Sequence, residues 1–145
     1  MIAVVHQTTQ LSLPDLVTAI RLSLHILSAT IFVGGQLTLA GLLGTIRTLG
    51  EGATKRVAQT FGRIQWPAYF ILIITGFWNV AAMHTGSAAH SWVVVLSIKI
   101  AVALLAGLFA YLHQRATSRP KLAAYGSLAG TASLVALILG ALLSS

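Results

Sequence analysis

From Leu22 to Ile46 the chain carries no aspartate, glutamate, lysine or arginine, and three more apolar runs follow it. A helix crossing the ~30 Å hydrocarbon core of a bilayer needs about 20 predominantly apolar residues. Runs of that length lie near residues 16–46, 64–83, 92–113 and 124–143, and what remains suffices only for short connections and ends. The expected fold is all-α: one transmembrane domain over residues 1–145, an integral membrane up-down four-helix bundle. Composition agrees, with 57% hydrophobic and 8% charged residues and a mean hydropathy of +0.88. Soluble domains carry about a quarter charged residues, so an ordinary water-soluble globule and a disordered tail are both excluded.

Ser12-Leu13-Pro14-Asp15 reads as a helix start, with Ser12 as the cap, Pro14 in the first turn and Asp15 at the place of a capping-box acid. No basic stretch precedes it and no small-residue cleavage site follows, so a removable signal peptide is not expected. The first helix is predicted to reach Ile46, about 50 Å, which requires it to tilt or protrude. Residues 47–63 read as a polar connection with room for a short amphipathic turn, residues 84–91 (HTGSAAHS) as an uncharged turn, and residues 114–123 (QRATSRPKLA) as a basic loop.

The formal net charge of +7 is segregated. Arg47, Lys55, Arg56 and Arg63 belong to the first connection and Arg115, Arg119 and Lys121 to the third, while the second has no basic residue. By the positive-inside rule both basic loops are expected on the cytoplasmic side of a cell membrane, inner or plasma, with both termini outside. Their expected partner is anionic lipid rather than nucleic acid. Trp78 and Trp92 flank the uncharged turn and Trp66 lies near the opposite edge, as interfacial anchors do.

Arg21 and Lys99 remain. Intramembrane charges are costly and usually face a bundle interior or snorkel to an interface. Arg21, His25, Ser28, Phe32 and Gln36 recur every three or four residues on one face of the first helix. Gln65, Tyr69, Gly76, Asn79 and Met83 cluster on the second, and Trp92, Lys99, Ala103, Ala106, Ala110 and His113 on the third. A polar interior is thus expected. In its outer half Arg21, His25 and Lys99 would meet His84 and His90 of the turn, with His113 about 20 Å away. Each has a plainer reading beside the functional one. Arg21 also fits a snorkelling residue, His84 and His90 fit solvated loop histidines, and His113 fits an interfacial group at a helix C-terminus. Lys99 lies too deep for easy snorkelling, and His25 faces the same way.

Gly34, Gly35, Gly41 and Gly44, the Ala103, Ala106 and Ala110 stripe, and Gly126 with Gly130 all permit close helix approach. The alanine stripe equally leaves room for a flat porphyrin. The absence of cysteine excludes disulfides, thiolate metal sites and iron–sulfur clusters. The only acids, Asp15 and Glu51, fall at or outside the membrane edges, which excludes hydrolysis by paired carboxylates.

His25 followed by Phe32-Val33-Gly34-Gly35 resembles the first-helix pattern of the copper-resistance protein D (CopD) family. Thr75-Gly76-Phe77-Trp78-Asn79 resembles that family's Thr-Gly-aromatic helix ending, and Lys99 its lysine in the next helix. The HemJ-type protoporphyrinogen oxidases have a related layout and bind haem b in the membrane. The resemblance spans about Leu22 to His113. It implies a haem b-binding membrane protein, and electron transfer is the default activity because the sequence shows no paired carboxylates, no nucleophile with a positioned base and no phosphate loop. His25 would be an axial ligand and Arg21 would pair with a propionate. Lys99, His84, His90 or Met83 would occupy the second axial position, or it would be open. Copper carriage through His25, His84 and His90, HemJ-like porphyrinogen oxidation, and service as an accessory subunit of a membrane complex are the alternatives. The chain departs from the HemJ pattern in its uncharged stretch from Gln36 to Gly44, and from soft-ligand copper handling in having only Met1 and Met83. Glycine-rich faces on so small a bundle also point to a homodimer or a larger complex.

Overall fold

The computed structural model describes residues 13–50, 52–83 and 88–144. Every regular element among them is helical: α1 (Leu16–Ala29), a π-helical turn (Thr30–Gly34), α2 (Gly35–Thr48), α3 (Ala53–Ala81), α4 (His90–Arg115) and α5 (Arg119–Leu142). Helix α1, the π turn and α2 run on as one rod of 33 residues, giving four helices long and apolar enough to cross a membrane. The protein is a multi-pass four-helix bundle of the expected class. One end carries the start of α1 and the finish of α5 and is called the terminal end below. The other, the basic end, carries the connections after α2 and after α4.

Local chemistry sets the helix limits. Asp15 itself is the N-cap of α1, in extended conformation, and its Oδ1 accepts from the Thr18 amide at 3.0 Å. The cap expected at Ser12 lies outside the described residues, and Pro14 precedes the helix instead of entering it. Proline biases the residue before it away from helical geometry, so the helix starts after Pro14, where a carboxylate can reach the third amide. The Asp15 carboxyl is held below the usual carboxylate range by the Thr18 backbone and side-chain hydrogen bonds.

The expected polar connection over residues 47–63 is shorter than its composition implied. Gly50 and Gly52, at φ 99° and 79°, make the reversal, and α3 begins at Ala53. Lys55, Arg56 and Arg63 therefore stand on the first turns of a 29-residue helix. Lysine and arginine are good helix formers, so charge there marked the membrane edge and not a break in the helix.

The rod packs along α3, and α4 along α5. The two pairs join near mid-bundle. Phe32, only 2% exposed, and Val33 pack with Tyr69, Ala106, Ala110 and Ala129, and the π turn also meets α5. A π turn adds a residue to one helical turn, and here it buries the consecutive residues Phe32 and Val33. The Phe32 and Tyr69 rings lie 4.9 Å apart. Tyr69 fills the place a side chain on Gly107 would take, and its hydroxyl donates to the Ala103 carbonyl at 3.2 Å. The alanine stripe of α4 is thus packed here by an aromatic side chain.

Candidate functional site

Glycines receive the large side chains of neighbouring helices throughout the bundle. Phe61 covers Gly35, Gln114 approaches Gly62, His113 covers Gly126, His25 covers Gly76 and the Lys99 ammonium lies over Gly140. Without a hydrophobic drive between helices in lipid, such close approach and interhelical hydrogen bonds supply the association.

His25 is the best-defined polar group of the terminal half. It stands nine residues into α1, as Lys99 does into α4, so each is about 14 Å from the start of its helix. Its Nδ1 lies 3.0 Å from Thr75 Oγ1. Thr75 is buried, and its hydroxyl proton is committed to the Ile71 carbonyl at 2.6 Å. Thr75 Oγ1 therefore faces His25 as an acceptor, and Nδ1 carries the ring proton of the neutral imidazole. That tautomer leaves Nε2 with its lone pair. Metal-bound histidines have this arrangement, one nitrogen on the metal and the other donating to a fixed acceptor.

The His25–Thr75 contact sets the antiparallel register of α1 and α3, which brings Arg21 level with Asn79 one turn nearer the terminal end. Arg21 Nε and Asn79 Oδ1 are both sealed from solvent without a hydrogen-bond partner. Lys99 is half-buried, with its ammonium against Gly140 of α5. The structure thus brings Arg21, His25 and Lys99 into one half of the bundle. His90, the first residue of α4, is exposed about 14 Å along the helix from Lys99. His84 lies outside the described residues. Among the described residues no three histidine, cysteine or acidic side chains are grouped to hold a metal ion. Met83 is 48% exposed just past the end of α3.

His113 is an α4–α5 latch: its Nδ1 lies 2.8 Å from the Leu122 carbonyl and its ring over Gly126. Trp66, read as an interfacial anchor, donates from Nε1 to Gln114 Oε1 at 2.9 Å and joins α3 to α4. Two buried polar residues did not stand out as site residues in the sequence, Thr75 and Ser133. Thr75 lies four residues before Asn79 and so shares its face, while it points about 100° away from Gly76, and its spacing held only a weak signal. Ser133 donates to the Ala129 carbonyl at 2.8 Å and lies 3.4 Å from Gln36 Oε1 on the facing helix. Only packing of the first helix against the last reveals that second contact.

No family model, curated protein or solved structure matches the chain. The likeness to the copper-resistance D and HemJ-type proteins rests on the short motifs quoted for it.

Proposed function

We propose that the protein binds haem b within the terminal half of the bundle and serves in electron transfer, with His25 as an axial ligand. The observation that carries this reading is the His25–Thr75 pair, which orients the imidazole and keeps the proton on Nδ1. The donor set fits the group: a neutral imidazole is the common haem-iron ligand, and the sealed, unpartnered Nε of Arg21 suits a propionate. When bound, haem supplies a one-electron couple. Around it the chain's residues do three things. Thr75 would fix the ring and raise the basicity of Nε2, Arg21 would offer a charged donor, and Lys99, over Gly140, would be the candidate for a second iron ligand. The positive-inside rule supports placing the basic end in the cytoplasm and the haem toward the outer face of a cell membrane.

Absorption of protein purified from haem-replete cells tests this reading. A Soret band that shifts on reduction and disappears in His25→Ala is expected. A colourless wild-type preparation defeats it, and copper that co-purifies and is lost in His25→Ala would point to metal carriage instead.

A second reading, a subunit within a larger assembly, is favoured by α2. Side chains added at Gly41 or Gly44 would meet nothing within 4 Å, so this small-residue face is left open.

A further inference from the structure

The cations of the basic end do not all stand alike. Arg115 lies 5.2 Å over the ring of Tyr111 on its own helix. Arg56, in the first turns of α3, instead borders a hollow of about 370 Å³ that continues along Val57, Thr60, Phe61 and Ile64 and is open on its outer side. Small-molecule sites occupy about 300–1,000 Å³. From Arg56 to Ile64 the hollow follows the helix for about 12 Å.

Helical spacing divides this face by chemistry. Arg56, Thr60 and Arg63 succeed one another at four and three residues and form a polar strip, and Val57, Phe61 and Ile64 do the same one residue on and form an apolar strip beside it. The bundle does not consume the apolar strip. Ile64 is 56% exposed, and Val57 and Phe61 are only part-buried although the Phe61 ring covers Gly35. Side chains of an α-helix lean toward its N-terminus, which in α3 is the basic end, so Arg63 leans toward Thr60 and Arg56. Charge here is one-sided: residues 47–63 hold Arg47, Lys55, Arg56 and Arg63 against the single acid Glu51.

Depth completes the match. The apolar run of the second crossing begins at Ile64, and a headgroup layer of about 5–7 Å borders each face of the hydrocarbon core. Arg56 and Thr60 therefore stand at the level of lipid phosphates, and Ile64 at the start of the acyl chains. Arg47, Lys55 and Arg63 at the same end repel the ammonium of a zwitterionic headgroup.

We infer that this hollow binds an anionic phospholipid of the leaflet at the basic end, with its phosphate at Arg56 and Thr60 and an acyl chain along Val57, Phe61 and Ile64. The diffuse attraction of basic loops for anionic lipid needs no shape, whereas a hollow with adjoining polar and apolar strips fits one molecule. It lies at the end opposite His25 and is independent of haem.

The test reconstitutes the full chain in nanodiscs of equal parts phosphatidylglycerol and phosphatidylcholine, extracts it in mild detergent and counts retained lipid by native mass spectrometry. Phosphatidylglycerol should be retained preferentially. Arg56→Gln should weaken its retention on the order of tenfold, the size of one lost charged hydrogen bond, and Arg56→Lys should keep most of it. Thr60→Trp, which fills the hollow and leaves the charge unaltered, should weaken it as well, while Arg119→Gln at the start of α5 should change it little. Equal retention of the two lipids by wild-type protein overturns the inference, and that comparison needs no variant to fold. Equal losses in Arg56→Gln and Arg119→Gln, the mark of diffuse attraction, overturn it too, as does undiminished retention by folded Thr60→Trp protein. Displacement of the lipid by glycerol phosphate would assign the hollow to a soluble phosphate and defeat the lipid reading.

Discussion

Around Phe32 the Tyr69 hydroxyl, the Trp66 indole and the Ser133 hydroxyl all have partners, and the glycine beneath Tyr69 is filled. Two to three turns nearer the chain termini, Arg21 and Asn79 keep sealed atoms without partners and Lys99 has no acid. The same four helices form both regions. In lipid an apolar surface gains little by leaving its surroundings, so helices stay together where packing and hydrogen bonds hold them. The middle of this bundle supplies both, and the terminal half withholds them between its two helix pairs. The first region sets the architecture, and the second is left with unspent polar chemistry.

The strongest way to break this contrast is to empty the packed region. Phe32→Ala should cost on the order of 3 kcal/mol, read as a shift in the denaturant midpoint of helical circular dichroism in detergent. A loss no greater than that of an exposed control such as Phe70→Ala would show that the joint does not hold the pairs. Overfilling acts on the same joint. Gly107→Ala places a methyl group on the Tyr69 ring, which is pinned by its own hydrogen bond and the core around it. A cost of about 1–3 kcal/mol is expected, and Gly130→Ala, which meets open space, should be near neutral in the same assay.

Thr75→Val sharpens the other side. It removes the acceptor at His25 Nδ1, and under the proposed function haem affinity should fall about 10- to 100-fold while the unfolding midpoint moves little. Unchanged affinity would separate Thr75 from ligation. The smallest effect belongs to the cap. The carboxyl of Asp15 is lowered in the folded protein, so its contribution is complete above the unfolded value of about 3.9 and is lost as pH falls through the lower folded value. Amide exchange at Thr18 should accelerate over that acidic window and stay flat above it; acceleration between pH 5 and 8 would assign the protection elsewhere.

Much of the fold was legible because bilayer length and backbone hydrogen bonding leave few alternatives for long apolar runs. The three predicted stripes were legible too: Ser28, Phe32, Gln65, Tyr69, Ala106 and Ala110 are all buried. Boundaries were less so. Lys55, Arg56 and Arg63 looked like loop and are helix, because a helix continues past the membrane edge at no cost to its backbone. The π turn had no visible signal, since Thr30–Gly34 is as apolar as its flanks.

Four crossings, a segregated positive charge and the shortage of acids at depth were properties of the sequence alone. Each depends only on which residues lie along the chain, and lipid reads that order directly. Partnership was decided by the tertiary structure. That Thr75 holds the His25 proton, that Tyr69 closes the alanine stripe, and that Arg21 Nε is sealed without an acceptor depend on the phase and register of separate helices. Those follow from packing glycine against bulky side chains across the bundle, a relation that no single helix contains.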